Sequence, residues 1–457
     1  MRFSDLRGRR VAVWGFGREG HAVIKALRSQ LPTQALTLFC RAAEADAARA
    51  FDPALEVVAG EPDAAMLARF EVVVKSPGIS AYKPAPLAAQ AQGTQFTSGT
   101  ALWFGENAQA RVIAVTGTKG KSTTSALIAH LARSTGVRTA LAGNIGLPLL
   151  ELLGQHADLW VIELSSFQTG EAGPLELGVV TSLYEEHLDW HGSRERYVAD
   201  KLKLADVSRT LLVNGLQPGL LERTQDHPRR LLFGTPEGWH VRDGFIRRGV
   251  QAVFPIGQLA APGLHNALNA CAALAALEAA GMDALAAAPA LAMFRPLPHR
   301  LQPLGERDGW HWVNDSISTT PLATLAALES LHGRTVTVLV GGHDRGLDWT
   351  PFVEAMRAAP AHAIVCMGSN GARIETALRA AGIACPVLLV NDLASAVEAA
   401  RAHTPGRGVI LLSPGAPSFD QFKDYAERGR RFSALAGFDP AGIASIRGLG
   451  IEGMQGG

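Results

Sequence analysis

Apolar runs of strand length alternate with stretches of helical period along nearly the whole chain. The runs are VAVWGF at residues 11–16, ALTLF at 35–39, VVVK at 72–75, RVIAVT at 111–116, LWVIELS at 159–165 and LGVVTSL at 177–183. TVTVLVGG at 335–342, AIVCMG at 363–368 and GVILLSP at 408–414 continue the series. Continuous apolar strands separated by amphipathic helices predict an α/β fold with mainly parallel sheets, because a parallel sheet is covered by helices on both faces. Two interruptions suggest where sheets separate: residues 93–105, between one nucleotide-fold pattern and the next, and the Pro-rich RPLPHR at 295–300. The expected domains are 1–98, 99–298 and 299–457. From about Ala441 the chain is rich in Gly and Ile without periodicity, and no element is predicted there.

Chemistry enters at the strand ends. After the strand at 111–115 comes Thr116-Gly117-Thr118-Lys119-Gly120-Lys121-Ser122-Thr123, followed by a helical pattern with Leu127, Ile128 and Leu131 on one face. Strand, glycine loop and helix N-terminus form an anion cradle: backbone N–H groups meet phosphate oxygens, Lys121 adds charge, and the Ser122 hydroxyl can reach Mg²⁺. Val115 stands where the general GxxxxGK[ST] pattern has its first glycine. A second glycine loop, Gly15-Phe16-Gly17-Arg18-Glu19-Gly20, fits the dinucleotide pattern GxGxxG. The next strand ends in Cys40-Arg41, where an NAD enzyme places a carboxylate, so NADP-dependent hydride transfer is one reading and another phosphate-bearing ligand a second.

Mg²⁺ needs one or two hard protein ligands beside phosphates and water. Glu163 and His187 both follow apolar strands, where α/β active sites form, although either could be a solvated loop group. In residues 193–206 the apolar Tyr197, Val198, Leu202, Leu204 and Ala205 share one side at about 100° per residue. Lys201 projects into that stripe and Lys203 away from it. Such a lysine can snorkel to water, or it can be desolvated so that its neutral amine becomes modifiable.

Composition narrows the ligand. The chain has 457 residues, enough for two or three domains, and 47% apolar with 19% charged residues excludes a disordered chain. A net charge of +1 argues against a general nucleic-acid or membrane-surface binder, so anions must be held locally. Eight lysines against 35 arginines make each lysine's position informative. Cys40, Cys271, Cys366 and Cys385 have no metal spacing and read as reduced thiols. The N-terminus reads as a first strand, and the most apolar tract, 271–294, is broken by Glu278, Asp283 and Pro289. A cytoplasmic protein without membrane insertion is expected.

The ordered motifs VTGTKGKST, GNIGLPLLELL, VIELSSFQ, EEHLDWHG, YVADKLKL, GLHNALNA, LPHRLQ, WVNDS, LVGGHDRGLDW and LLSPGAPSFDQFKDYAERG resemble those of the Mur ligases of bacterial peptidoglycan synthesis, over nearly the whole chain. The resemblance implies a three-domain architecture: a Rossmann-like N-terminal domain for a UDP-sugar, a central P-loop ATPase domain and a Rossmann-like C-terminal domain for the incoming amino acid. It implies ATP at Gly117, Thr118, Lys119, Gly120, Lys121, Ser122 and Thr123, with Asn266, Asn269, Arg300 and Asp315 near the nucleotide. Two Mg²⁺ ions are implied, one on Ser122 and Glu163 and one on His187, bridged by a carbamate on Lys201. Lys121, Glu163, His187 and Lys201 then form the catalytic set. Gly15, Gly17, Arg18, Ser76, Gly78, Asn144, Ser165 and His187 match contacts to UDP-N-acetylmuramoyl-L-alanine. The implied chemistry is amide formation through an acyl phosphate.

The third domain departs from the D-glutamate-adding pattern NDSKATN. Here Asn314-Asp315-Ser316-Ile317-Ser318-Thr319-Thr320-Pro321 has Ile317 for the lysine, Arg345 follows the GG turn, and Tyr425 follows the serine loop. With Thr319 and Ser418, these residues are expected around the glutamate. NDSISTTP, GGHDRGLDW and SPGAPSF look like the branch that adds L-glutamate, whose product then goes to an epimerase. The same ligation with D-glutamate, a folylpolyglutamate-type ligase and the NADP-dependent dehydrogenase are the alternatives.

Overall fold

A computed structural model describes residues 1–184, 193–260, 263–444, 446 and 448–452. Its contacts divide the chain into two compact units, residues 1–255 with 268–291 and 448–457, and residues 256–267 with 292–447.

The first unit begins with β1 (Val11–Trp14), α1 (Arg18–Gln30), β2 (Leu36–Cys40), β3 (Glu56–Ala59), β4 (Val72–Lys75) and β5 (Gln95–Thr97). These strands form a parallel sheet in the order β3-β2-β1-β4-β5. The strand order turns back beside β1, and the crevice at such a reversal is where open α/β sheets bind ligands.

The chain continues through α2 (Gly99–Glu106), β6 (Val112–Thr116), α3 (Lys121–Ser134), β7 (Thr139–Gly143), β8 (Leu159–Glu163), β9 (Leu175–Val180), α4 (Arg194–Asp206), β10 (Ser208–Asn214) and β11 (Arg230–Phe233). Their sheet runs β11-β10-β9-β6-β8-β7, with β21 (Gly450–Glu452) on the β7 edge. Strands β6, β7 and β8 are buried at every position, as their unbroken apolar runs require. A separate antiparallel sheet joins β12 (Trp239–Arg242), β13 (Phe245–Arg248) and β14 (Gln251–Pro255).

β21 is a departure from the sequence expectation, as is the short helix Pro440–Ala444. The strand pairs antiparallel with β7 from Gly450 to Glu452, and Arg133 donates to the Gly450 carbonyl at 3.0 Å. The edge of β7 supplies unpaired backbone groups, so a segment with no periodicity of its own gains order from a partner distant in sequence.

In the second unit, β15 (Gln302–Arg307), β16 (Trp310–Asn314), β17 (Val336–Val340), β18 (Ala363–Cys366), β19 (Val387–Leu389) and β20 (Val409–Leu412) run in the order β15-β16-β20-β17-β18-β19, all parallel except β15. Val336, Val338 and Val340 enter one apolar cluster and Leu339 another. Both faces of this sheet are therefore covered, as a period of two in a buried strand demands. Helix α5 (Leu264–Ala279) has residues in both units, and helices α6 (Pro321–Glu329) and α7 (Tyr425–Leu435) belong to the second. The cysteines are free, and Cys40, Cys271 and Cys366 are buried. Among the described residues no helix is long and apolar enough to cross a membrane.

Candidate active site

The glycine loop between β6 and α3 needs its glycines. Gly117 has φ +147°, and a Cβ there would lie 2.0 Å from Thr181 Oγ1; Gly120 has φ +86°, with Asn269 Oδ1 2.6 Å from the same hypothetical atom. Two residues beyond β9 hold the loop. The backbone N–H of Thr118 donates to the Ser182 carbonyl at 2.8 Å, that of Lys119 to Ser182 Oγ at 2.8 Å, and Thr181 Oγ1 donates to the Lys119 carbonyl at 2.6 Å. Thr181 and Ser182 were not singled out in the sequence; they close an apolar run and carry no motif of their own. The loop opens into the first turn of α3, where Lys121 and the buried Ser122 stand.

Glu163 ends β8 directly opposite Val115 of β6, so sheet register alone sets it beside the loop. It is 1% exposed, its Oε1 accepts from Asn144 Nδ2 at 2.7 Å, and its buried Oε2 has no hydrogen-bond partner. A buried carboxylate oxygen left open beside a phosphate cradle fits a cation, since an unpaired buried acceptor is otherwise costly. Among the described residues no three His, Cys, Asp or Glu side chains cluster.

Lys201 of α4 is 2% exposed, and its Nζ donates to the Gly117 carbonyl at 2.9 Å. It does not snorkel: the stripe carries it inward with Tyr197 and Leu204, while Lys203 is exposed and pairs with Asp200 at 2.6 Å. His187 lies outside the described residues.

A cavity of about 760 Å³ opens at the strand ends of the N-terminal sheet. Gly15, Gly17, Arg18, Ser76, Gly78 and Asn144, all expected to touch a substrate, line it. Gly15 and Gly20 make the loop tight: a Cβ on Gly20 would meet the Gly15 carbonyl oxygen at 2.0 Å. Ser76 Oγ is buried without a partner, and Arg18 donates to the Gly146 carbonyl at 3.2 Å. Asn144 joins this cavity to the loop region, because the residue that lines the one also holds Glu163 of the other.

Ser165 is not among the lining residues. Its hydroxyl donates to Gln168 Oε1 at 2.8 Å, and Gln168 and Phe167 line the cavity instead. Both belong to the SSFQ run, so the motif was legible but the residues of it that line the cavity were not. Lys75, next to Ser76, is buried and faces Glu171 at 3.8 Å, and burial lowers its pKa. Arg41 at the rim is engaged by Glu44, which weakens its case as a site for a 2′-phosphate.

In the second unit Asp315 is buried: its Oδ1 accepts from the Leu301 N–H at 3.0 Å, and its Oδ2 accepts from Ser413 Oγ at 2.8 Å and from the Ser318 hydroxyl. Burial nevertheless pushes its carboxyl up to about 6. Arg300 is half-buried and Asn266 buried. Of the expected glutamate contacts, Ser418 is buried, Thr319 half-buried, and Arg345 and Tyr425 exposed. Arg345 stacks its guanidinium 5.6 Å from the Phe419 ring centre.

Residues 115–277 match the Mur ligase middle domain and residues 299–415 the Mur ligase glutamate ligase domain. A UDP-N-acetylmuramoyl-L-alanine–L-glutamate ligase of Xanthomonas oryzae pv. oryzae is 52% identical over 99% of this chain and 100% of its own length. One of the same description from Xylella fastidiosa is 50% identical over 99% and 100%. A UDP-N-acetylmuramate–alanine ligase from Thermotoga maritima shares the fold at 19% identity, with a TM-score of 0.59 over 93% of this chain and 98% of that one. With the phosphate loop, the buried strand-end glutamate and the inward lysine all lying in the matched middle domain, the chain belongs to the Mur ligase family.

Proposed function

We propose that this protein is the ATP-dependent ligase that adds L-glutamate to UDP-N-acetylmuramoyl-L-alanine, through an acyl phosphate, in peptidoglycan precursor synthesis. Full-length identity of 52% to a ligase of that description carries the reading. The three segments 1–98, 99–298 and 299–457 would take the UDP-sugar, ATP and glutamate respectively. The reaction would run in the cytoplasm, and its L-glutamyl product would need a separate epimerase.

The nucleotide-sugar would occupy the N-terminal cavity, its diphosphate against the Gly15–Gly20 loop and α1 N-terminus and its hydroxyls or phosphates satisfied by Ser76. Asn144 would then meet the substrate's acyl end beside Glu163. The loop from Gly117 to Thr123 would hold the ATP phosphates, with Lys121 countering charge on the transferring group. Asn266, Asn269, Arg300 and Asp315 are assigned to the nucleotide, either as contacts or as supports of the loops that make them. Ser122, Glu163, His187 and a carbamylated Lys201 would hold two Mg²⁺ ions, which when bound stabilise charge on the phosphoryl oxygens. A carbamate nitrogen keeps one N–H, so the bond from Lys201 to the Gly117 carbonyl survives that modification.

The substrate carboxylate attacks the γ-phosphorus and ADP departs; the amine of glutamate attacks the acyl carbon and phosphate leaves. A folylpolyglutamate-type ligase would leave the N-terminal cavity unexplained, and an NADP-dependent dehydrogenase would leave the phosphate loop unused. Purified protein incubated with UDP-N-acetylmuramoyl-L-alanine, ATP, Mg²⁺ and either enantiomer is expected to release phosphate with L-glutamate. Turnover with D-glutamate alone would refute the assignment.

Nucleotide-sugar binding is expected to depend on pH through Glu19. It lines the cavity, and its carboxyl is pushed up to about 7, first by burial and then by Glu171, against an opposing effect of Arg18. Below that pH it is neutral and tolerates a bound diphosphate; above it a like charge faces the ligand. The Kd for UDP-N-acetylmuramoyl-L-alanine is therefore expected to rise by up to about tenfold from pH 7 to pH 8.5. Calorimetry on the wild type and Glu19→Gln checks this: the variant should lose the pH slope, and a flat wild-type profile would refute it.

A further inference from the structure

Arg428, on α7, is 1% exposed and was not singled out in the sequence. Its guanidinium donates from Nε to Ser316 Oγ at 3.1 Å, from Nη1 to the Pro417 carbonyl at 3.2 Å, and from Nη2 to the carbonyls of Ser316 at 2.8 Å and Ala416 at 3.0 Å. A Cβ on Gly342 would sit 3.0 Å from Nη1, so the GG turn also packs against this group. Ser316 Oγ in turn donates to the Tyr425 carbonyl at 2.7 Å.

Three loops thus meet at one side chain. The loop at 316 leads to Thr319, the turn at 342 to Arg345, the loop at 416–417 to Ser418, and Tyr425 begins the helix that carries Arg428. These four residues are the expected contacts of the amino-acid substrate. Neutral acceptors take four of the five guanidinium N–H groups, and among the described residues no carboxylate forms an ion pair with it. Asp420 is the acidic group that influences it, and one Asp420 oxygen accepts from the Ser369 N–H at 3.0 Å. Burial lowers the pKa to about 10, which leaves the side chain charged at neutral pH.

A buried cation without a paired anion is expensive, and the cost falls when a ligand supplies the anion. We propose that Arg428 is a positioning and charge-selecting residue of the amino-acid site: it holds the loops of Ser316, Gly342 and Pro417 in register, and its field favours a dicarboxylic amino acid. This rests on the assignment of glutamate as substrate. The guanidinium acts through the loops it holds and through space. It matches their fixed carbonyls because it is a planar fork, whereas an ammonium can supply the charge without the geometry.

Steady-state kinetics on the full-length enzyme with glutamate and with glutamine test it. For Arg428→Met, KM for glutamate should rise, and the preference for glutamate over glutamine in kcat/KM should fall, each by roughly tenfold or more. KM for the UDP-sugar should stay near wild type. Arg428→Lys should restore part of the preference, since it keeps the charge, while KM for glutamate remains raised. Ser316→Ala provides an independent variant should the core substitution fail to fold, and severalfold weaker glutamate binding is expected from it. An unchanged preference in Arg428→Met, or an unchanged KM in Ser316→Ala, would overturn the role of Arg428. Wild-type enzyme that fails to turn over glutamate would instead overturn the substrate assignment.

Discussion

Lys201→Ala is expected to lower kcat on the order of a thousandfold, with partial recovery on adding acetate or propionate. Lys201 is 2% exposed and its nitrogen lies 2.9 Å from the Gly117 carbonyl, so the side chain reaches the floor of the phosphate loop. If its function is to become an anionic oxygen ligand, truncation removes that ligand and leaves space for a short carboxylate. A lysine acting only as packing or as a loop support would show a different pattern. Truncation would then cost stability, of the order of 2–5 kcal/mol by analogy with other large-to-small core changes, and carboxylates would restore nothing. Phosphate release and thermal unfolding measured together separate the two. Full activity in the variant would remove the carbamate from the account.

Glu163→Gln should reduce kcat by roughly 10²–10³ while leaving the fold nearly unaltered. The amide oxygen can still accept from Asn144, as Oε1 does at 2.7 Å, so the link to the N-terminal cavity is preserved. The change falls on Oε2, the buried oxygen without a partner, where an uncharged NH₂ would replace a negative acceptor. A Mg²⁺ titration of activity should show a higher half-saturating concentration, with KM for the UDP-sugar changed only a few-fold. An unaltered kcat together with an unaltered Mg²⁺ requirement would show that the open oxygen has another purpose.

Much of the molecule is legible in local pattern. Strands such as β6, β8 and β17 are continuous apolar runs, and a run that is buried on both faces announces a parallel sheet before any partner is known. The two glycine loops are equally local. Each depends on backbone conformations and close approaches that few residues other than glycine allow, so their spacing survives as a motif. Lys201 was visible through helical period alone, because an inward direction is a property of the helix.

The pairings were not legible. Nothing near Gly117 in the chain indicates that Thr181 and Ser182 hold its loop; parallel strands bring them there from more than sixty residues away. The SSFQ run pointed to the cavity, yet only the turn shows that Ser165 is occupied by Gln168 and that Gln168 and Phe167 form the wall. The final strand gave no periodic sign, since its hydrogen bonds come from the open edge of β7.

Arg428 marks the same boundary most clearly. In the chain it is one arginine of 35, on a helix face like many others. Its burial beneath three loops and the absence of an ion-pair partner among the described residues exist only once the second unit has folded. Strand, helix and phosphate-loop chemistry follow from short-range sterics and hydrophobic period, which neighbours in sequence share. Which carboxylate is left open, which lysine reaches the loop and which cation stays unpaired depend on contacts between distant segments, and burial then sets how strongly each charge acts.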